Sequence, residues 1–277
     1  MFADWIWRSV IFVIKFYIKI SRRLFMGKYN SSIYRVRPLM ECIEKDYNAF
    51  LTVLSLVGID ALDVPQIFRY DGEICCEMQL KPPKHHLASL IDRMASKIHE
   101  KVNITGVNRL DLFFGEQEKR ENARIKAMME LERHYDTLTS SDRPWYMFEG
   151  FTNPDIFIEG DDYVIVCEGK WTEPHITTTT TYLSSVGEYR SQMVRHIQGA
   201  LNYTNKKVFA FYIVDAKCGY IEDLTKESFS RQLAFETIQL SETEKVQILE
   251  SFYGYTTWQA IQEKLPYINF QSKSSIT

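Results

Sequence analysis

The apolar residues of this chain change period several times, and each change marks an element. Residues 153–171 hold two β-branched and aromatic runs, Ile156 to Ile158 and Tyr163 to Cys167, separated by Gly160-Asp161-Asp162. Runs of that composition on either side of turn-forming residues predict a β-hairpin. Tyr189 to Tyr203 then carries Met193, Ile197, Ala200 and Leu201 at helical spacing, and Lys207 to Val214 is apolar almost without interruption. The first reads as a helix and the second as a strand buried on both faces. The resulting order, strand, strand, helix, strand, is that of an α/β domain.

Upstream, helical patterns run from Leu39 to Val57, Leu87 to His99 and Gln117 to Tyr135. Ile67 to Cys75 contains Asp71-Gly72 between apolar residues and predicts a second hairpin, and Lys81-Pro82-Pro83-Lys84 breaks the pattern before the next helix. Downstream, Glu222 to Leu240 and Glu242 to Leu249 read as closing helices. The five threonines Thr177 to Thr181 favour an extended strand, and Ser272 to Thr277 reads as a frayed tail. The expected organisation is residues 1–30 as a basic amphipathic helix, 31–102 as a helix-rich region with a β-hairpin, 103–270 as the α/β domain, and 271–277 as a tail.

Between Trp5 and Phe25, Arg8, Lys15, Lys19 and Arg22 form one narrow stripe at helical spacing, and Trp7, Val10, Ile11, Val13, Ile14, Tyr17 and Ile18 fill the remaining arc. The segment is too short and too often charged for a membrane span, and it lacks the cleavage site of a signal peptide. It fits an interfacial membrane helix, a helix for self-association or partner docking, or one packed on the protein's own body. The last two take precedence, because most broad apolar stripes face a protein core.

Register turns the hairpin of residues 153–171 into chemistry. If its loop has an even number of residues, either Asp161-Asp162 or Gly160 through Tyr163, facing residues sum to 323 and Asp155 stands opposite Glu168. Facing Cβ atoms lie roughly 4.5–5.5 Å apart, so two carboxylates so placed repel unless a cation joins them. Oxygen donors of this kind suit magnesium. The strand period puts Lys170 on the face of Glu168 and turns Gly169 away. The plain structural reading is an exposed Glu168–Lys170 ion pair, worth little energetically. Against it, Glu168 follows four apolar residues and Trp171 follows Lys170, a half-buried setting in which unpaired charge is costly.

Pro154-Asp155 followed by Glu168-Gly169-Lys170 resembles the motif of the PD-(D/E)xK nuclease superfamily. The resemblance implies a restriction-endonuclease-like core, an α/β fold with a central mixed sheet flanked by helices, over about residues 103–270. It implies a nuclease hydrolysing phosphodiester bonds of DNA with Mg2+ or Mn2+, in restriction, repair or defence against foreign DNA. Asp155, Glu168 and the Gly169 carbonyl would hold the metal, and Lys170 would position the attacking water and offset phosphate charge. On the following helix Gln192 and Arg195 would reach the phosphate or the water, with His196 structural. A further acid is expected before the hairpin, and Glu149, isolated in an aromatic segment, ranks above the helical Glu121, Glu130 and Glu132, which suit surface ion pairs. A second reading keeps the fold without catalysis, as a nucleic-acid-binding or assembly protein.

Composition bounds these expectations. The 277 residues are 45% hydrophobic and can build one large or two small domains. The five cysteines, Cys42, Cys75, Cys76, Cys167 and Cys218, are odd in number and form no CxxC pair, which indicates neither a disulfide framework nor a zinc ribbon and fits a reducing cytoplasmic location. Cys75 and Cys76 with His85 and His86 have poor spacing for zinc. The net charge of −3 is uneven: eight basic residues against Asp4 give residues 1–40 a charge of +7, leaving −10 for the rest. Attraction to a phosphate backbone would then come from the N-terminal segment and from Lys170, Arg190, Arg195, Lys206 and Lys207.

Overall fold

A computed structural model describes residues 31–70, 78–96, 116–137, 151–173, 189–236 and 238–271. The helix expected over Trp5 to Phe25, the second half of the hairpin ending at Cys75, Glu149, the run Thr177 to Thr181 and the tail lie outside the described residues. The rest forms one five-stranded sheet in spatial order β1 (Ile67–Tyr70), β2 (Ile156–Glu159), β3 (Tyr163–Gly169), β4 (Lys207–Val214) and β5 (Phe252–Thr257). β1, β2 and β3 run antiparallel, and β3, β4 and β5 run parallel. The fold is α/β with a mixed sheet.

The predicted register holds. Ile156 faces Cys167 and Glu159 faces Val164, and Gly160 N–H donates to the Tyr163 carbonyl at 3.1 Å, which leaves Asp161-Asp162 as a two-residue loop. Gly160 lies so close under the Tyr163 ring that a Cβ would sit 2.2 Å from Cε1.

Both faces of the central strands are buried, which explains their near-continuous apolar runs. Ile165, Cys167, Phe209, Phe211 and Ile213 face one core cluster, and Val164, Val166, Val208, Ala210, Tyr212 and Val214 face the other. The first is closed by α1 (Arg37–Ile43), which follows a wide helical turn at Ser32–Val36, by α2 (Tyr47–Ser55) and by α8 (Trp258–Lys264). The second is closed by α5 (Gln192–Tyr203), α6 (Lys226–Leu233) and α7 (Glu242–Ser251). Between these groups in sequence come α3 (Lys84–Ser96) and α4 (Gln117–His134), which Lys84–Glu132 and Arg124–Asp92 ion pairs link. Glu121 also pairs with Arg124, the surface role expected of the helical acids. Because Val36 to Ile59 share a core with β2, β3 and β4, and β1 pairs with β2, sheet and core run across the expected boundary at 102.

Three expectations change. The helix foreseen from Leu39 to Val57 is two, because the Asp46 carboxylate accepts the Asn48 N–H at 2.9 Å and caps a new start. The helix foreseen from Glu222 to Leu240 is a short turn, Ile221–Leu224, and then α6, again because a side chain, here Thr225, caps a fresh helix. Neither β5 nor α8 was foreseen. β5 is six residues long, directly follows α7 and includes Gly254 at φ +85°, so it carries a weak strand signal.

Candidate active site

The hairpin and α5 bring the central residues together at the C-terminal end of β3. Glu168, the last side chain of β3 on the α5 side, is 3% exposed, and Lys170 beyond it is 8% exposed. Lys170 Nζ donates to Glu168 Oε1 at 2.7 Å and to Gln192 Oε1 at 3.3 Å, while Gln192 Nε2 donates to the same Glu168 Oε1 at 2.7 Å. The backbone of Lys170 is held on two sides: its N–H donates to the Ile213 carbonyl and the Trp258 indole N–H donates to its carbonyl, both at 2.8 Å. Gln192 reaches Glu168 because Ser191 caps α5, its hydroxyl accepting the Val194 N–H and so opening the helix beside the strand end.

The proline and glycine of the motif have physical roles. In an antiparallel pair, residues that exchange backbone hydrogen bonds alternate with residues that do not. Gly160–Tyr163 is a bonded pair, so Pro154 falls opposite Gly169 at a bonded position and Asp155 opposite Glu168 at a close, non-bonded one. Proline has no N–H to give, so the ladder offers no donor to the Gly169 carbonyl. The Asp155 carboxylate takes the Gly169 N–H instead, at 2.8 Å. Asp155 is thus turned onto the strand end instead of standing free beside Glu168. A Cβ on Gly169 would lie 2.9 Å from Val36 Cγ2 and 3.1 Å from the Trp258 ring, so this close convergence needs glycine.

Burial alone would push the Glu168 carboxyl up, but the Lys170 ammonium and the His196 N–H outweigh it and hold the carboxyl at about 2. Burial likewise pushes Lys170 down, and the charges of Glu168 and Asp155 carry it above its ordinary value. At neutral pH the two form an ion pair. A carboxylate offers about four lone-pair positions, of which Lys170, Gln192 and His196, whose Nε2 lies 3.0 Å from Glu168 Oε2, take three. The hard oxygen set of Asp155, Glu168 and the Gly169 carbonyl suits magnesium, with one position on Glu168 still open.

The other expected residues divide. His196, expected to be structural, lies on Glu168 itself. Arg195 acts by its charge on His196, Tyr212 and Glu236. Arg190 does not serve a phosphate, because it is fully buried and donates to Glu236 Oε2 at 2.8 Å and to Gln198 Oε1 at 3.0 Å. Lys206 donates to Glu159 and to the Gly160 carbonyl, and Lys207 lies over the Phe209 ring. Lys207 opens β4 directly after Lys206, and the parallel register places Lys207 beside Tyr163, at the opposite end of β3 from Glu168. His196 could be found from its spacing four residues after Gln192; Thr152, which contacts it, carried no signal.

A second cluster, His85, His86 and Glu244, brings three potential metal-ligand atoms within 4.8 Å of one another. Its hydrogen bonds assign it another role. Arg190 can only donate, so it fixes Gln198 with Oε1 toward itself and Nε2 toward His86 Nδ1, at 3.1 Å. Nδ1 therefore accepts, and the His86 proton is on Nε2, which donates to Glu244 Oε1 at 2.6 Å. A metal-ligating histidine instead donates through its second nitrogen. The cluster is one end of a polar chain from Glu236 through Arg190, Gln198 and His86 to Glu244.

This chain makes stability pH-dependent. Burial, with the neighbouring His85, pushes His86 down to about 4 from 6.5. As pH falls below 6.5 the unfolded chain takes up the proton first, so stability is lost progressively between pH 6.5 and 4. The slope is at most about 1.4 kcal/mol per pH unit. His86→Gln should flatten the urea midpoint over that window, and an unchanged slope would assign the loss to other groups.

No family model, no curated protein and no solved structure matches this chain. Among the described residues no helix is long and apolar enough to cross a membrane.

Proposed function

We propose that the chain is a magnesium- or manganese-dependent nuclease acting on DNA in the cytoplasm, with a restriction-endonuclease-like core. The observation that carries this reading is the gathering of Asp155, Glu168, Lys170 and Gln192 at one strand end, with Gly169 between them. Asp155, Glu168 and the Gly169 carbonyl would hold the metal. Once bound, the metal lowers the pKa of a water and offsets charge developing on the phosphoryl oxygens. Lys170 Nζ supplies a fixed positive centre and a donor for the phosphate or the water. Gln192, bonded to both Lys170 and Glu168, orients the two groups and is only partly buried, so it is placed to meet substrate. Arg195 and Glu149 are second-rank participants.

The test is cleavage of plasmid and linear DNA, with an RNA arm, in Mg2+ and in EDTA. Wild type should cut only with the metal, and Asp155→Ala should not cut. Equal cleavage by Asp155→Ala would sink the catalytic reading.

One observation favours a non-catalytic nucleic-acid-binding or assembly protein: the Glu168 carboxylate already has three nitrogen partners and is neutralised by Lys170. That reading predicts DNA binding without turnover and no Mg2+ affinity by calorimetry.

A further inference from the structure

His196 lies on α5 one turn after Gln192 and is completely buried. Its two nitrogens are both engaged, Nε2 with Glu168 Oε2 at 3.0 Å and Nδ1 with Thr152 Oγ1 at 2.7 Å. Glu168, ionised beside Lys170, can only accept, so His196 Nε2 carries a hydrogen. On its other side the ring is fixed by Thr152 Oγ1, 2.7 Å from Nδ1. Thr152 is itself immobilised, because it exchanges both backbone hydrogen bonds with Leu80, at 2.8 and 3.0 Å.

The helix reaches this point because of a glycine. A Cβ on Gly199 would lie 2.6 Å from Leu80 Cβ, so any larger residue would lift α5 off the Leu80–Thr152 bridge. Gly199, three residues after His196, seats the helix. A hydroxyl, an imidazole and a carboxylate are then aligned behind the strand end, on the side away from Lys170 and Gln192.

We propose that Thr152 and His196 are positioning residues that hold the Glu168 carboxylate in one orientation for a divalent cation. The proposal rests on the reading of Asp155 and Glu168 as metal ligands. Neither residue touches a metal or a substrate; each acts through Glu168. Donors behind a ligating carboxylate or imidazole typically change metal affinity about 10–100-fold. His196 holds Glu168 by Oε2, whereas Gln192 and Lys170 hold it by Oε1.

The experiment is calorimetric titration of the whole chain with Mn2+, with melting temperature as the control for folding. Wild type should bind Mn2+ and Glu168→Gln should not. His196→Ala should weaken Mn2+ binding about 10–100-fold, and Thr152→Val should weaken it about tenfold. His196→Gln keeps an N–H near the position of Nε2 and should restore most of the affinity, a rescue that a purely packing role would not give. If wild type binds no Mn2+, the metal reading fails and this inference with it. If wild type binds but the folded His196 and Thr152 variants bind equally well, only the positioning role is overturned. Where His196→Ala does not fold, the near-isosteric Thr152→Val decides the matter alone.

Discussion

Replacing Lys170 by alanine should reduce Mg2+-dependent DNA cleavage by about 10²–10³-fold, the usual cost of removing one fixed group that stabilises developing charge. Glu168 also loses its counter-charge, so some stability is lost with it, and cleavage is compared at a temperature where the melting curve shows the variant folded. Backbone bonds from Ile213 and Trp258 hold residue 170 whatever its side chain, and Glu168 keeps Gln192 and His196 as donors. Lys170→Arg should not rescue. The site is enclosed, with Lys170 8% exposed, and a planar guanidinium cannot reproduce a compact ammonium bonded at once to Glu168 and Gln192. A purified Lys170→Ala protein that cleaves at the wild-type rate would remove Lys170 from the mechanism and leave the Glu168 pair a structural contact.

The largest stability effect is expected at Arg190, outside the site. Its guanidinium and the Glu236 carboxylate both have side chains 0% exposed and lie 2.8 Å apart. Glu236 also accepts the Ser191 N–H at 2.6 Å, at the residue that caps α5. Removing the guanidinium leaves a buried carboxylate without its counter-charge, which costs about 3–5 kcal/mol. Arg190→Met, which keeps most of the volume, should therefore lower the melting temperature by roughly 10 °C. Adding Glu236→Gln should recover much of that loss, because the orphan charge is gone while the acceptor for Ser191 remains. Equal melting temperatures for the single and double variants would mean that lost packing, not charge, sets the cost. Since α5 carries Gln192 and His196, the single variant should also loosen the site.

Much of the architecture was legible locally. A turn of two residues between apolar runs implies the pairing of Ile156 with Cys167, and that pairing predicts where Asp155, Glu168 and Lys170 fall. Continuous burial of Lys207 to Val214 and the helical spacing after Tyr189 are equally local, because periods of 2 and 3.6 are written residue by residue. The capping residues Asp46 and Thr225 were present in the sequence too, yet a side-chain cap competes with helix continuation by a small free energy that surrounding packing decides.

The sequence by itself determined the register of the hairpin, the burial of its strands and the helix that follows, since each depends on neighbours in the chain. Tertiary structure alone decided that Asp155 turns onto the Gly169 N–H, that Arg190 is consumed by Glu236, and that β1 and β5 complete the sheet. It also decided that His196 meets Glu168 with Thr152 behind it. These contacts join residues 14 to 46 positions apart in the chain, or whole strands further apart still. They form only where close approach is permitted, as at Gly169 and Gly199, and where burial makes an unpaired polar group costly enough to require a partner.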